Sequence, residues 1–220
     1  MVVTEIIDFG GEPLNVKNLI RKVAVALEGV KNSQHIAFGT KVQENGAQIL
    51  SEWDGAQDGT NPSRIQEYSS FINSVRSSGG ELQSLYHVAL NRSAFGTDGP
   101  ATGNMIEYVQ NYFPASRVTP EFRKRVEDDF LKFDEIYTKE VRVDTSVAYG
   151  WVLEEQDHEN VKGEKARCFL VCRGWESMDH FEQSVKTDAY KKAIPILLAW
   201  NAPWKMWHVE QKVIKSTTFA

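Results

Sequence analysis

Apolar positions along this 220-residue chain switch between a period near two and a period near 3.6, and the switches mark its elements. Val2 to Phe9 is rich in β-branched residues and reads as a strand. From there Val16, Leu19, Ile20, Val23, Leu27 and Val30 recur on one face of a helix. Two strands follow, Gln34 to Val42 and Ala47 to Trp53, joined through Gln43-Glu44-Asn45-Gly46. Asn-Gly is a strong hairpin signal because both residues tolerate positive φ. After a loop rich in Gly, Asp and Asn, Pro62 suits the first turn of a second helix, in which Ile65, Tyr68, Phe71, Ile72 and Val75 keep the helical period. Ser77-Ser78-Gly79-Gly80 ends it, and Glu81 to Leu90 gives another strand. The order is βαββαβ.

Residues 91–103 are small, polar and broken by Gly and Pro, and predict a linker. Beyond them the order repeats. Met105 to Phe113 reads as a strand, and Thr119 caps a helix that starts at Pro120 and carries Phe122, Val126, Phe130, Phe133 and Ile136 on one face. Strands at Val141 to Leu153 and Ala166 to Arg173 flank a charged loop. A last helix runs from Ser177 towards Trp200 with a disturbance expected at Pro195, and Pro203 to Val213 closes as a strand. Local matches fall in the same order. Ala37-Phe38-Gly39 corresponds to Ala148-Tyr149-Gly150, Trp53-Asp54 to Trp175-Glu176, and Tyr86-His87-Val88 to Trp207-His208-Val209. The chain therefore predicts an α+β protein of two tandem ferredoxin-like βαββαβ units, 1–90 and 104–220, joined by 91–103.

Four-stranded sheets with both helices on one face leave the other face to be covered, and a second copy covers it as a barrel. The small residues Ala37, Gly39, Ala148 and Gly150 suit close helix packing, so Phe38, Tyr149 and Trp151 are expected to face the barrel interior. A hydrophobic fraction of 41% supports a sizeable core, and a net charge of −5 without basic runs offers no footprint for nucleic acid. The first ten residues lack the pattern of a signal peptide, and no stretch reaches the ~18 apolar residues of a membrane span, so the expected location is cytoplasmic, with no membrane partner. Cys168 and Cys172 share a strand face about 13 Å apart, too far to pair, and read as core thiols.

Arg173-Gly174-Trp175-Glu176-Ser177-Met178-Asp179-His180-Phe181 resembles the Trp and Ser-led helix of the antibiotic-biosynthesis-monooxygenase-like group, within the dimeric α+β barrel superfamily. The resemblance covers nearly the whole chain, in the duplicated single-chain form found in fungi. It implies a barrel enclosing a pocket, closed within one chain, with a homodimer as a further option. It also implies a cofactor-independent enzyme of secondary metabolism acting on an aromatic or polyketide-like molecule, by oxygenation or by proton-transfer cyclisation or isomerisation. The rival is a non-catalytic ligand-binding or stress-associated barrel. Cofactor-free oxygenases of this group carry an Asn four residues before the strand-end Trp. Here those positions are Ile49 and Val171, so no catalytic residue carries over.

Candidate chemistry comes from the residues themselves. No nucleotide, zinc or redox motif occurs, so neither metal nor cofactor is expected. His87 and His208, at matching places in the two copies, are the first candidates for proton transfer, against a packed role on the helix side. If they face the helices, Tyr86 and Trp207 line the pocket instead, and Tyr86 joins the catalytic candidates. Tyr108, Gln110 and Tyr112 share a strand face that could orient a phenol or enolate. Trp53 and Trp175 form either an aromatic wall or plugs at strand ends. The bulk around His208 predicts that the open pocket lies beside the first copy.

Overall fold

The computed structural model describes residues 3–10, 33–53, 73, 77, 81–141 and 146–214. Eight strands form the frame: β1 (Val3–Gly10), β2 (Ser33–Lys41), β3 (Gly46–Trp53), β4 (Glu81–Leu90), β5 (Met105–Pro114), β6 (Val147–Val152), β7 (Ala166–Trp175) and β8 (Trp204–Ile214). They close into a barrel in the order β1-β3-β2-β8-β5-β7-β6-β4, with every pair antiparallel. The four strands before residue 91 are contiguous around the barrel, as are the four after residue 104. Two seams, β2 with β8 and β4 with β6, join the sets. Val3 pairs with Trp53 as Met105 pairs with Trp175, and Glu5 with His87 as Glu107 with His208, so the two sets share one register. The fold is thus α+β with a barrel completed inside one polypeptide.

Alternation gives each strand an interior and an outward face. Ile6, Leu50, Tyr86, Val88, Ile106, Tyr108, Cys168, Leu170, Cys172 and Trp207 belong to one interior core. Eight strands enclose a space that side chains can fill. Both ends are covered in part. Ala94 and Ala101, in the segment expected to be a mere linker, pack into this core at one end, where Ala94 N–H and Ser93 Oγ each donate at 2.6 Å to the Glu52 carboxylate. At the other end Val161, from the charged loop after β6, packs into the same core.

The outward face of the second strand set is covered by α1 (Pro120–Tyr137), α2 (Met178–Ser184) and α3 (Asp188–Leu198). Thr119, Ser177 and Thr187 cap them by accepting from the N–H groups of Phe122, His180 and Tyr190. Phe122, Val126, Phe130 and Phe133 of α1 then bury against Phe113, Trp151, Phe169 and Trp175. Two expectations change here. The last helix breaks at 185–187, where Thr187 opens a new N-terminus, while Pro195 sits inside α3. Of the strand expected from Val141 to Leu153, Val147–Val152 is strand, Val141, Ser146 and Leu153 are not, and 142–145 lie outside the described residues. The helices expected over 16–30 and 62–75 lie outside the described residues, apart from Asn73, which is helical.

The expected strand polarity is reversed. Tyr149 and Trp151 pack outward among the helices, and Phe38, next to interior Ala37, takes the outward face by alternation. Ala37 and Ala148 join the interior core, and the two glycines serve the seams. A Cβ on Gly39 would lie 2.5 Å from the Glu210 carbonyl oxygen, and one on Gly150 would lie 2.8 Å from the Ala89 carbonyl carbon. The strand backbones approach so closely across the seams that only glycine fits.

Candidate functional site inside the barrel

Polar side chains inside the barrel gather near the end that carries the β2–β3 hairpin. Asp8 of β1 lies opposite Gln48 of β3 on one side and Ser84 of β4 on the other. Ser84 Oγ donates to Asp8 Oδ2 at 2.6 Å, and Lys41 Nζ, at the end of β2, stands 3.3 Å from Asp8 Oδ1. The Lys41 ammonium also reaches Glu44 Oε1 at 2.9 Å, and this contact holds the Glu44 carboxyl below its usual range. Asp8 and Lys41 are both buried, so the pair is largely out of water.

Aromatic groups frame this pair. Tyr108 and Trp207 stack with centroids 5.3 Å apart and planes 11° from parallel. Trp207 Nε1 donates to Gln48 Oε1 at 2.7 Å, while Lys41 and Lys205 stand 5.8 Å and 5.4 Å from the indole centroid. Tyr112 OH donates to Gln110 Oε1 at 2.6 Å, and the Tyr112 ring meets His158 of the covering loop at 4.2 Å. Burial drives the Tyr86, Tyr108 and Tyr112 hydroxyls upward in pKa, with the Asp8 charge adding to it, so all three remain phenols at neutral pH. Asp8 and Lys41 thus place a charged pair beside flat aromatic faces in the barrel core.

Several sequence candidates therefore meet in the interior: Tyr86, Tyr108, Tyr112 and Trp207. The two histidines do not. His87 and His208 share strands with Tyr86 and Trp207 but take the opposite parity, because the large rings fill the barrel. This corrects the expectation that the histidines work in the pocket. Trp175 is also outward, donating from Nε1 to Glu107 Oε2 at 2.8 Å at its strand end. The side chain of Trp53 lies outside the described residues. Sequence reasoning missed Asp8, Lys41, Gln48 and Ser84. The signal was present in Glu5-Ile6-Ile7-Asp8-Phe9, where charged residues interrupt a strand that must be buried on both faces.

On the outward face the histidines form matched seam contacts of different charge. His87 N–H donates to Glu154 Oε2 at 2.9 Å, its Nδ1 lies 2.5 Å from Glu154 Oε1, and its Nε2 lies 3.2 Å from Glu5 Oε2. Ser51 Oγ donates to the other Glu5 oxygen at 3.1 Å. At the other seam Gln43 replaces Glu154: His208 N–H donates to its Oε1 at 3.0 Å and Nδ1 lies 2.6 Å from its Nε2. Burial works against protonation of His87, but the bonds to Glu154 and Glu5 outweigh it and raise the pKa to about 9. Burial alone lowers His208 to about 4. One imidazole is a cation at pH 7 and the other is neutral.

A surface depression of about 580 Å³ lies at the charged loop, lined by Asp157, His158, Glu159, Val161, Gly163, Glu164 and Lys165. Two of its lining residues also touch the barrel core, His158 through the Tyr112 ring and Val161 directly. Among the described residues, no group of three or more His, Cys, Asp or Glu side chains could hold a metal ion, and no helix is long and apolar enough to cross a membrane. Cys168 and Cys172 are free, buried thiols, and burial pushes both well up in pKa.

No protein-family model matches the sequence, and no curated protein matches it. Solved structures do match in fold. An anthrone oxidase-like protein aligns with a TM-score of 0.62 at 13% identity, covering 100% of this chain and 97% of that one. A protein from Fusobacterium nucleatum named as a monooxygenase aligns at 0.57 and 14% identity, covering 96% and 93%. One from Lactobacillus acidophilus with the same designation aligns at 0.54 and 10%, covering 96% and 95%. Together with the closed eight-strand barrel, these similarities establish that the chain has the dimeric α+β barrel fold, with both halves of the barrel in one polypeptide.

Proposed function

We propose that this protein is a cofactor-independent oxygenase-like enzyme for a small aromatic or polyketide-like substrate, and that its reaction site is the barrel interior beside Asp8 and Lys41. The buried ion pair carries this reading. Taking two charges out of water is costly, and replacing such a pair by apolar side chains is often neutral or favourable for stability, so its presence fits a chemical role. The names of the structural neighbours support oxygen chemistry as the reaction class.

In this scheme the Asp8 carboxylate takes a proton from an activated CH₂ or phenol of the substrate, and Ser84 fixes the orientation of the carboxylate. The Lys41 ammonium balances the negative charge left on the substrate, in surroundings where electrostatic stabilisation is strong. The electron-rich anion then reacts directly with O₂. For an activated CH₂ group, one oxygen atom ends on carbon as C=O, and the other leaves with both hydrogens as water, so atoms and electrons balance. The Tyr108–Trp207 pair supplies a flat apolar wall for the substrate ring.

The test is to incubate the protein with anthrones and hydroxynaphthalenes under ¹⁸O₂ and to follow oxygen uptake and label in the product. One labelled oxygen per product, lost in Asp8→Asn, is expected. Conversion that proceeds equally without O₂ would identify a proton-transfer cyclase or isomerase. Tight binding without conversion would identify a carrier.

A further inference from the structure

Beside Asp8 Oδ1, an acceptor whose contact is the 3.3 Å ion pair with Lys41, two further polar atoms inside the barrel are buried and without a hydrogen-bond partner: the Tyr86 hydroxyl and Gln48 Nε2. Both belong to residues more than nine-tenths buried, Tyr86 at 4% exposure and Gln48 at 2%. A buried polar group without a partner is destabilising, so native interiors supply one from protein, water or ligand. The chemistry of these two groups identifies the partner they suit.

Both are donors. The indole N–H of Trp207 can only donate, and it points at the Gln48 side-chain oxygen at 2.7 Å, which leaves the amide NH₂ facing away from it. That NH₂ lies towards the Tyr108 hydroxyl without making a hydrogen bond to it. Tyr86 keeps its proton, since burial strongly disfavours its phenolate. The two residues sit on β3 and β4, which flank β1 on either side. Gln48 lies opposite Asp8 and Tyr86 opposite Ile6, so both stand on the interior side beside the same short stretch of β1, and the Asp8 charge reaches Tyr86.

The charges nearby are already matched. Lys41 is paired with Asp8 and Glu44, and Lys205 adds a favourable field at Glu44, so two cations face two carboxylates. A further anion would stand unpaired there, whereas a neutral acceptor would not. The second copy supplies an independent comparison. At the matching register positions Tyr86 becomes Trp207, whose single donor is spent on Gln48, and Gln48 becomes Leu170, which is fully buried. Only the first copy presents the paired donors.

We infer that Tyr86 and Gln48 form a donor pair that recognises the carbonyl oxygen of an uncharged, flat aromatic ketone. This deepens the proposed function, since it rests on the same interior site and fixes the form of the molecule held there. It makes Tyr86 and Gln48 the specificity-determining residues, distinct from the acid–base work of Asp8.

The experiment is calorimetric binding of three probes of equal ring size, 2-acetylnaphthalene, 2-ethylnaphthalene and 2-naphthoate, to the whole protein in the absence of O₂. The ketone is expected to bind about tenfold more tightly than the hydrocarbon and than the carboxylate. Tyr86→Phe and Gln48→Leu are each expected to remove most of that preference while leaving hydrocarbon affinity nearly unchanged; Tm should hold in Tyr86→Phe and fall in Gln48→Leu, which also removes the acceptor of the Trp207 indole N–H. Equal binding of ketone and hydrocarbon, stronger binding of the carboxylate, no binding of any probe, or a preference that survives both substitutions would overturn the inference. Ketone preference without oxygen-dependent turnover would leave the donor pair standing and remove the oxygenase reading. Turnover that depends on Asp8 but shows no ketone preference would do the reverse.

Discussion

Replacing Glu154 by Gln should convert one seam of the barrel into a copy of the other, and the cost can be worked from the geometry. Gln43 already shows that an amide can bridge the backbone N–H and Nδ1 of the seam histidine. The substitution therefore preserves shape and removes one charge. His87 is raised from its ordinary 6.5 to about 9, which at ~1.4 kcal/mol per pH unit is about 3 kcal/mol of linked stability. Glu5 supplies part of that. Glu154 is 43% exposed, so solvent screens its share. A loss of about 1–2 kcal/mol at pH 6 is the expected outcome. The sign follows from the raised pKa: the contribution is fully present below about 6.5 and is lost as pH rises through about 9. In Glu154→Gln the decline should begin at lower pH. NMR titration of the imidazoles, with urea unfolding at several pH values, measures both quantities. An unchanged His87 titration and an unchanged stability slope between pH 6.5 and 9 would refute the reasoning.

Other consequences can be checked separately. His208 is lowered to about 4, so its contribution is fully present above about 6.5 and is lost as pH falls through about 4; His208→Phe should flatten stability over that window in urea melts. Gly39→Ala and Gly150→Ala should each destabilise by more than about 2 kcal/mol, read as a large drop in Tm, because a methyl group would meet the neighbouring strand's backbone. Thr187→Ala should cost about 1 kcal/mol through loss of the α3 cap, measured by chemical denaturation. Cys168 and Cys172 should resist thiol reagents in the native protein and react fully in denaturant, as followed by mass spectrometry.

The strand order, α1 and the fold class were legible because they rest on periodicity, which local sequence expresses directly. Phe122, Val126, Phe130 and Phe133 announce α1, and they are the residues it buries. Which strand face points inward was not legible, because these strands are apolar at both parities. Small residues at Ala37, Gly39, Ala148 and Gly150 suggested helix contact, but the tighter constraint came from strands meeting across the seams, a contact between residues far apart in sequence. The same reversal moved the histidines out of the barrel interior and Tyr86 and Trp207 into it. Asp8 and Lys41 could be recognised as a pair only once β1 and β2 were seen to place them 3.3 Å apart.

The central claim is that the reaction belongs to the interior pair and not to the outward histidine, and parallel turnover measurements on Asp8→Asn and His87→Gln test it most directly. With the best substrate from the anthrone and hydroxynaphthalene panel, Asp8→Asn is expected to lower kcat by at least about 100-fold with the fold retained. His87→Gln is expected to keep kcat within about twofold while its stability follows the loss of seam charge. A retained rate in Asp8→Asn, or a collapse of kcat in a folded His87→Gln, would contradict the account.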